Sequence, residues 1–396
     1  MATMTAPAKS GGAKQAAAGP FTVAGNALHV LETGAARRQA LLELIDGAQD
    51  SLRLLYYIYA PDGIGIAVRD ALDRARRRGV TVRLIIDGFG SSAPPQFFAG
   101  LEKDGADICR FLPRFGRRYL LRNHQKLAIA DERRVLIGGF NIEDSYFDDG
   151  PDGWRDLGLL LDGPAAKRLV RYFDALARWT HRDTARLRDL RGALSRWSEP
   201  KGGPVRWLFG GPTRRLSPWA KTVRKEMRAA NRLDMVAAYF APNPMMLRRI
   251  EMIVRRGGEA RVLTAAKSDQ NATIAAARHT YQRLLERGVR VFEYQPTRLH
   301  TKLFVIDDIV HIGSANFDIR SLYLNLELML RIEDRDFADH MRAYVAREYA
   351  DAKEIRLADH ARAGWFDRLR WSLAYFLVAV VDGNVTRRLN FGVERR

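Results

Sequence analysis

Two stretches of the chain carry the same run of apolar and polar positions. Residues 52–61 (LRLLYYIYAP) are apolar and aromatic almost throughout, and residues 233–242 (LDMVAAYFAP) repeat the run down to the closing Ala-Pro. Short apolar runs of this kind predict buried strands. Helical spacing follows each, over 65–78 and 244–256, and then a second strand, over 80–87 (VTVRLIID) and 260–265. In the second half a helix at 272–287 and a strand at 289–294 come next. In the first half a strand at 107–112 carries Cys109. Two short apolar runs around a polar turn then predict a hairpin in each half, 126–131 with 134–138 and 302–307 with 309–313. Strands at 155–161 (RDLGLLL) and 326–332 (LELMLRI), with helices at 165–182 and 336–349, close the two halves.

Strands alternating with helices, twice over, imply an α/β protein. The expected architecture is two similar lobes with mixed sheets, related by a pseudo-twofold axis, with the active site between them. The expected divisions are a disordered lead at 1–20, a first lobe at 21–182, a polar connection at 183–204, a second lobe at 205–360 and an amphiphilic tail at 361–396. The lead is rich in Ala, Gly and Lys and lacks the apolar centre of a signal peptide.

Chemistry enters with the hairpins. His124-Gln-Lys126 with Asp131 begins the first, and His300-Thr-Lys302 with Asp307 begins the second. Each is trailed by a small-residue turn with an asparagine, Gly138-Gly139-Phe140-Asn141 and Gly313-Ser314-Ala315-Asn316. One copy would carry little weight; two suggest half-sites that meet. In a strand, positions i and i+2 face the same side, so each His and Lys project together. A lysine directed inward needs an anion. Two imidazoles and two ammonium groups around one point suit cleavage and re-formation of a phosphodiester. Lys126 and Lys302 can neutralise the non-bridging oxygens, and Asn141 and Asn316 can donate hydrogen bonds. No metal or other cofactor is expected. One histidine would attack phosphorus and the other would serve as acid and then base.

Each imidazole needs a carboxylate to fix its tautomer. Aligning the chain with itself pairs Asp156 with Glu327, each expected at the start of a late strand, and these are the candidate partners. Asp131 and Asp307 complete the motifs and are counted with the catalytic set. An extended strand nevertheless puts them about 15 Å from the lysines, where they would brace loops. Arg122 and Arg320 are candidate substrate-binding residues, with Arg117 and Arg118 close by. Tyr57, Tyr59, Tyr239 and Phe240 either line the mouth of the site or pack in the core. The remaining histidines, at positions 29, 181, 279, 311, 340 and 360, have no repeated context and read as surface or structural.

Composition narrows the partners. The formal net charge is +19 over 396 residues, which points to an anionic partner, nucleic acid or an acidic membrane surface. The one cysteine, Cys109, gives no disulfide framework and reads as core on a cytoplasmic face. No stretch reaches the roughly 20 apolar residues that span a bilayer. The longest, 371–381 (WSLAYFLVAVV), either lies in a membrane interface or packs on the core.

These motifs resemble the phospholipase D superfamily over about residues 24 to 360, and within it the bacterial cardiolipin synthases. The likeness is carried by Asn123-His124-Gln-Lys126, Gly138-Gly139-x-Asn141, Trp154-Arg155-Asp156 and the long run from Gly313 through Asn316, Asp318, Arg320, Ser321 and Asn325 to Glu327. The resemblance implies a phosphatidyltransferase acting through a phosphohistidine, with His124 as nucleophile and His300 as acid/base. It implies an anionic phospholipid substrate, phosphatidylglycerol as donor and acceptor, and a peripheral place on the cytoplasmic side of a bacterial inner membrane. Many members begin with two membrane-spanning helices, and this sequence has none. A monomer with two half-sites accounts for the duplication. Alternatives from other classes are a phospholipase D hydrolase, an endonuclease of the same superfamily, and a non-catalytic binder. The segment 318–327 and the amphiphilic tail argue against nucleic acid, and two intact motifs argue against loss of catalysis.

Overall fold

The computed structural model describes residues 20–111, 121–182, 187–197, 203–213 and 215–381. Arg117, Arg118 and most of the expected lead fall outside these residues. Two mixed sheets of eight strands dominate. In the first, the spatial order is Phe21–Val23, Asn26–Leu31, Gly158–Asp162, Arg134–Gly138, Leu127–Ala130, Ser51–Tyr56, Thr81–Asp87 and Asp107–Phe111. In the second it is Val205–Phe209, Leu328–Glu333, Ile309–Gly313, Lys302–Ile306, Arg232–Ala237, Glu259–Ala265, Arg290–Tyr294 and Ala352–Ile355. The two orders match strand for strand once the first sheet's extra edge strand, Phe21–Val23, is set aside. The second sheet carries its extra strand, Ala352–Ile355, at the opposite edge.

Alternation along each strand explains how the lobes pack. Leu127 and Ile129 face a core shared by both lobes, while Ala128 and Ala130 face the outer helices of the first lobe. Leu303 and Val305 repeat the inward pattern, and Phe304 and Ile306 the outward one. The helices Ala166–His181 and Arg335–Ala350 send Phe173, Leu176, Phe337 and Met341 into the same shared core. The lobes are therefore joined by apolar packing rather than by a linker alone.

Three local expectations need correction. The connection holds an amphipathic helix, Leu187–Trp197, whose Leu190 and Leu194 are buried in the shared core. The strand expected at 155–161 is broken into Trp154–Arg155 and Gly158–Asp162. The strand expected at 326–332 begins only at Leu328. Both changes have one cause, because the residues before the strand pair with the other lobe. Trp154–Arg155 runs parallel to Arg298–Leu299, and Leu326 bridges Asn123. The His300 N–H donates to Arg155 O at 2.8 Å, and the His124 N–H to Leu326 O at 2.9 Å. Backbone hydrogen bonds thus stitch the lobes together beside both histidines.

Candidate active site

Each His-x-Lys segment enters an all-buried strand at the end where the parallel strands of its sheet finish. Leu127 pairs with Leu55, and Lys302 with Ala237, the last residue of its strand. The segments are held there by the cross-lobe bonds just described. His124, Lys126, His300 and Lys302 are all buried. The two ammonium groups turn back on their own motifs: Lys126 Nζ donates to His124 O at 2.6 Å, and Lys302 Nζ to His300 O.

The carboxylates cross between lobes. His300 Nδ1 lies 2.6 Å from Asp156 Oδ2, and His124 Nδ1 lies 3.2 Å from Glu327 Oε2. Sequence comparison singles out both carboxylates but not which histidine each would meet. Glu327 also accepts from Ser314 Oγ at 2.5 Å and Ser321 Oγ at 2.8 Å. Two glycines make room for the carboxylates. A Cβ on Gly139 would stand 2.6 Å from Asp156 Oδ1, and one on Gly210 would stand 2.7 Å from Glu327 Cβ.

Several supporting residues have no repeat to betray them. Arg37 is buried among backbone carbonyls: Nη1 donates to Asp156 O at 2.6 Å and Nη2 to Tyr146 O at 2.9 Å. Tyr146, Trp154 and Tyr239 surround the His300 ring, with centroids at 5.1, 5.3 and 6.3 Å. Tyr57 lies 5.0 Å from the His124 ring. Of the four aromatic residues left open by sequence, Tyr57 and Tyr239 flank the histidines, whereas Tyr59 and Phe240 are core. Gln125, inside the first motif, ties Tyr172 to the Glu327 carbonyl.

The two asparagines differ. Asn141 Oδ1 accepts from the Ile58 N–H at 3.1 Å, and Asn316 Oδ1 is buried without a hydrogen-bond partner among the described residues. Arg122 stacks on Phe89 with its guanidinium carbon 3.6 Å from the ring centre. Both Arg122 and Arg320 act electrostatically on the Tyr57 hydroxyl, so they approach the His124 side from different lobes.

Asp131 and Asp307, counted with the catalytic set, stand elsewhere. Asp131 accepts from the backbone N–H groups of Gln49, Asp50 and Ser51, and Asp307 from those of Asn231 and Arg232. Both sit in hairpin turns with positive φ, at 51° and 47°. They brace each hairpin against the start of the neighbouring strand and do not reach the imidazoles.

Burial sets the electrostatics. It pushes His300 down to about 3, helped by Lys302 and opposed by Asp156. It also lowers His124, with Lys126 and Lys302 adding to the effect. Burial pushes Lys302 down to about 8 and Lys126 well below the ordinary lysine value. For Asp156 and Glu327 burial works the other way, but the neighbouring imidazole and ammonium groups outweigh it and keep both carboxylates low. Each lysine is felt by the other lobe's histidine, so the four groups form one electrostatic unit. The site thus sets two imidazoles held toward the neutral form, each with a carboxylate held toward its ionised form behind Nδ1, beside two lysines whose charge burial opposes. Such a site can attack phosphorus, steady an anion and pass a proton. Among the described residues no cluster of three or more His, Cys, Asp or Glu side chains is arranged to hold a metal ion.

A sequence profile of the family described as cardiolipin synthase, PLD-like domain, matches residues 41–177 and 224–349. The chain is 31% identical over 346 residues to cardiolipin synthase A of Pseudomonas putida strain GB-1, covering 85% of this chain and 71% of that protein. It is 29% identical over 368 residues to cardiolipin synthase A of P. putida strain W619, covering 91% of this chain and 76% of that protein. Among solved structures, phosphatidylserine synthase of Haemophilus influenzae Rd KW20 superposes with a TM-score of 0.70 at 14% identity, covering 91% of this chain and 94% of that one. That likeness shows a shared fold. The chain belongs to the cardiolipin synthase, PLD-like domain family, and it is an enzyme of the phospholipase D superfamily.

Proposed function

We propose that this phosphatidyltransferase joins two molecules of phosphatidylglycerol, releasing glycerol, through a covalent phosphohistidine. The observation that carries the reading is the crossed pair of His–carboxylate contacts beside two buried lysines. A carboxylate behind Nδ1 leaves Nε2 of each ring for the reaction.

The first phosphodiester sits between the ammonium groups of Lys126 and Lys302. His124 Nε2 attacks phosphorus, and the phosphorus–oxygen bond to the headgroup glycerol breaks. His300 Nε2, protonated, gives its proton to the departing oxygen. The negative charge of the bound lipid and the short contact to Asp156 favour that imidazolium. A hydroxyl of the second phosphatidylglycerol then loses its proton to His300, its oxygen attacks phosphorus, and His124 leaves. The 2.6 Å His300–Asp156 contact suits the ring that must carry charge, which supports assigning His300 as acid/base and His124 as nucleophile. Asn141 and Asn316 donate hydrogen bonds to the phosphoryl oxygens, and Arg122 and Arg320 bind the acidic lipid. The lysines supply the positive charge that the displacement needs, so turnover is independent of added metal.

The enzyme works as a peripheral protein on the cytoplasmic side of the inner membrane. Among the described residues no helix is long and apolar enough to cross a membrane. The test is product analysis by mass spectrometry on phosphatidylglycerol liposomes with a chelator present. Cardiolipin and glycerol, both absent with His124→Ala and His300→Ala, support the reading. Phosphatidic acid as the sole lipid product would make the protein a hydrolase.

A further inference from the structure

The last helix of the described chain is apolar on two faces. Trp365–Tyr375 continues as a π-type turn through Phe376–Val381. One face is anchored. Trp371 and Ala374 are buried with Ala241, Ala275 and Ala276, and Tyr375 Oη donates to Pro242 O at 2.8 Å. The other face has nothing on it among the described residues. Trp365, Phe366, Leu369, Leu373, Phe376 and Leu377 recur at i, i+1, i+4, i+8, i+11 and i+12 and share one side. Trp365 is 74% exposed, Phe366 68%, and the other four about half. A contiguous apolar face of this size marks an interaction surface.

Charge says what kind of surface it meets. Just past the anchoring Pro242, a groove of about 500 Å³ opens between two helices, lined by Pro244, Met245, Arg248, Arg249, Met252 and Arg283. Arg283 reaches the Tyr375 hydroxyl electrostatically, so groove and helix adjoin. Arg248 and Arg249 have no carboxylate partner among the described residues. Apolar side chains beside unpaired arginines fit a bilayer with anionic headgroups.

Position ties this face to the site. Phe240–Ala241, which precedes Pro242, pairs with Phe317–Asp318, directly after Asn316. On the other lobe Phe89, 65% exposed, follows the strand that ends at Asp87 on the same side and carries Arg122 over its ring. Apolar and cationic groups therefore border the catalytic end from both lobes.

We propose that the outer face of the C-terminal helix, with the Arg248/Arg249 groove, is the surface on which the enzyme lies against an anionic phospholipid bilayer, presenting the site to lipids without extracting them. The proposal rests on the lipid-transfer reading for its purpose, but its test does not. The full chain is compared with Leu369→Glu/Leu373→Glu and with Arg248→Glu/Arg249→Glu. Each is sedimented with vesicles of phosphatidylglycerol and phosphatidylethanolamine in equal parts, and with phosphatidylcholine vesicles. Turnover of phosphatidylglycerol dispersed in detergent is measured in parallel. The expected result is binding selective for the anionic vesicles, weakened about a hundredfold in both variants, with detergent-phase turnover retained. Variants that pellet as well as the parent overturn the proposal. So does weaker pelleting confined to a variant whose melting temperature has fallen well below the parent's, because the loss then tracks the fold rather than the face. Self-association of the parent that the leucine variant abolishes while vesicle binding stays intact would make the face a contact between copies of the chain. A parent that binds vesicles but turns over no lipid leaves the docking surface standing and removes the lipid-transfer reading.

Discussion

His300 and Asp156 are 144 positions apart in the chain, yet their Nδ1 and Oδ2 atoms are 2.6 Å apart. The carboxylate fixes which ring nitrogen carries the proton. Asp156→Asn keeps the shape but removes the charge and frees the imidazole to take the wrong tautomer. Its kcat should fall about 10³–10⁴-fold with KM little changed. Glu327→Gln should cost less, about 10²–10³-fold, because its contact to His124 is longer and Ser314 and Ser321 still hold the side chain. Steady-state turnover of phosphatidylglycerol measures both. Parental kcat in Asp156→Asn would remove the orienting pair from the mechanism.

The pH profile follows from the lysines. A lysine is charged below its pKa, and burial brings Lys302 down to about 8. Phosphodiester binding should therefore be strong at neutral pH and fade as pH rises through about 8. The alkaline limb of kcat/KM should lie there and move upward in Lys302→Arg, whatever that variant costs in rate. On the acid side the nucleophile must be neutral, and burial holds the free His124 imidazole below the ordinary histidine value, so the acid limb should lie below pH 6.5. An alkaline limb unmoved by Lys302→Arg would assign it to another group.

Asp131 makes the opposite prediction, stability without catalysis. Burial alone would raise its pKa, but the Ser51, Asp50 and Gln49 N–H groups outweigh it and leave the carboxyl low. A depressed carboxyl stabilises the fold above its unfolded pKa and loses that contribution as pH falls. Asp131→Asn should cost about 1–2 kcal/mol of stability at neutral pH. The gap to the parent should shrink below about pH 4. Its kcat should stay within about twofold of the parent, since the side chain holds a hairpin turn. Denaturant unfolding at two pH values, with turnover alongside, checks all three.

Arg37 tests support at a distance. Its guanidinium clamps the carbonyls of Asp156 and Tyr146, which face His300 from the first lobe. Arg37→Met fills much of the space but leaves two buried carbonyls without donors. Stability should fall by about 1–3 kcal/mol. Turnover should fall about tenfold or more, through loss of the Asp156 position rather than of substrate binding, so KM should hold. A rise in KM with unchanged kcat would contradict that reading.

Much of the architecture is legible in the sequence because duplication writes it twice. The apolar runs ending in Ala-Pro, the hairpins at Lys126 and Lys302 and the two mixed sheets follow from periodicity and repeat. Asp156 and Glu327 emerge from the same self-comparison. Their crossed pairing does not, because a repeat shows equivalent positions and not which lobe each faces. The strand break at Asp156 is hidden for the same reason, since it depends on Arg155 pairing with Leu299. Arg37 leaves no signal, because it binds carbonyls, which every residue has. The helix at Leu187–Trp197 is missed, because the charged residues around Leu190, Leu194 and Trp197 mask their helical spacing.

The strand pairings beside the histidines also bear on how such a chain could arise. Asn123 meets Leu326 and Leu299 meets Arg155 in the same manner, once in each direction. Half of the chain, expressed alone, would hold a histidine and a carboxylate that cannot reach each other. It could complete both contacts only by meeting a second copy through those same pairings. The chain reads as such a pair fused end to end, freed from the obligation of identity. The two halves have used that freedom: aspartate on one side and glutamate on the other, an arginine clamp behind the first and two serines on the second.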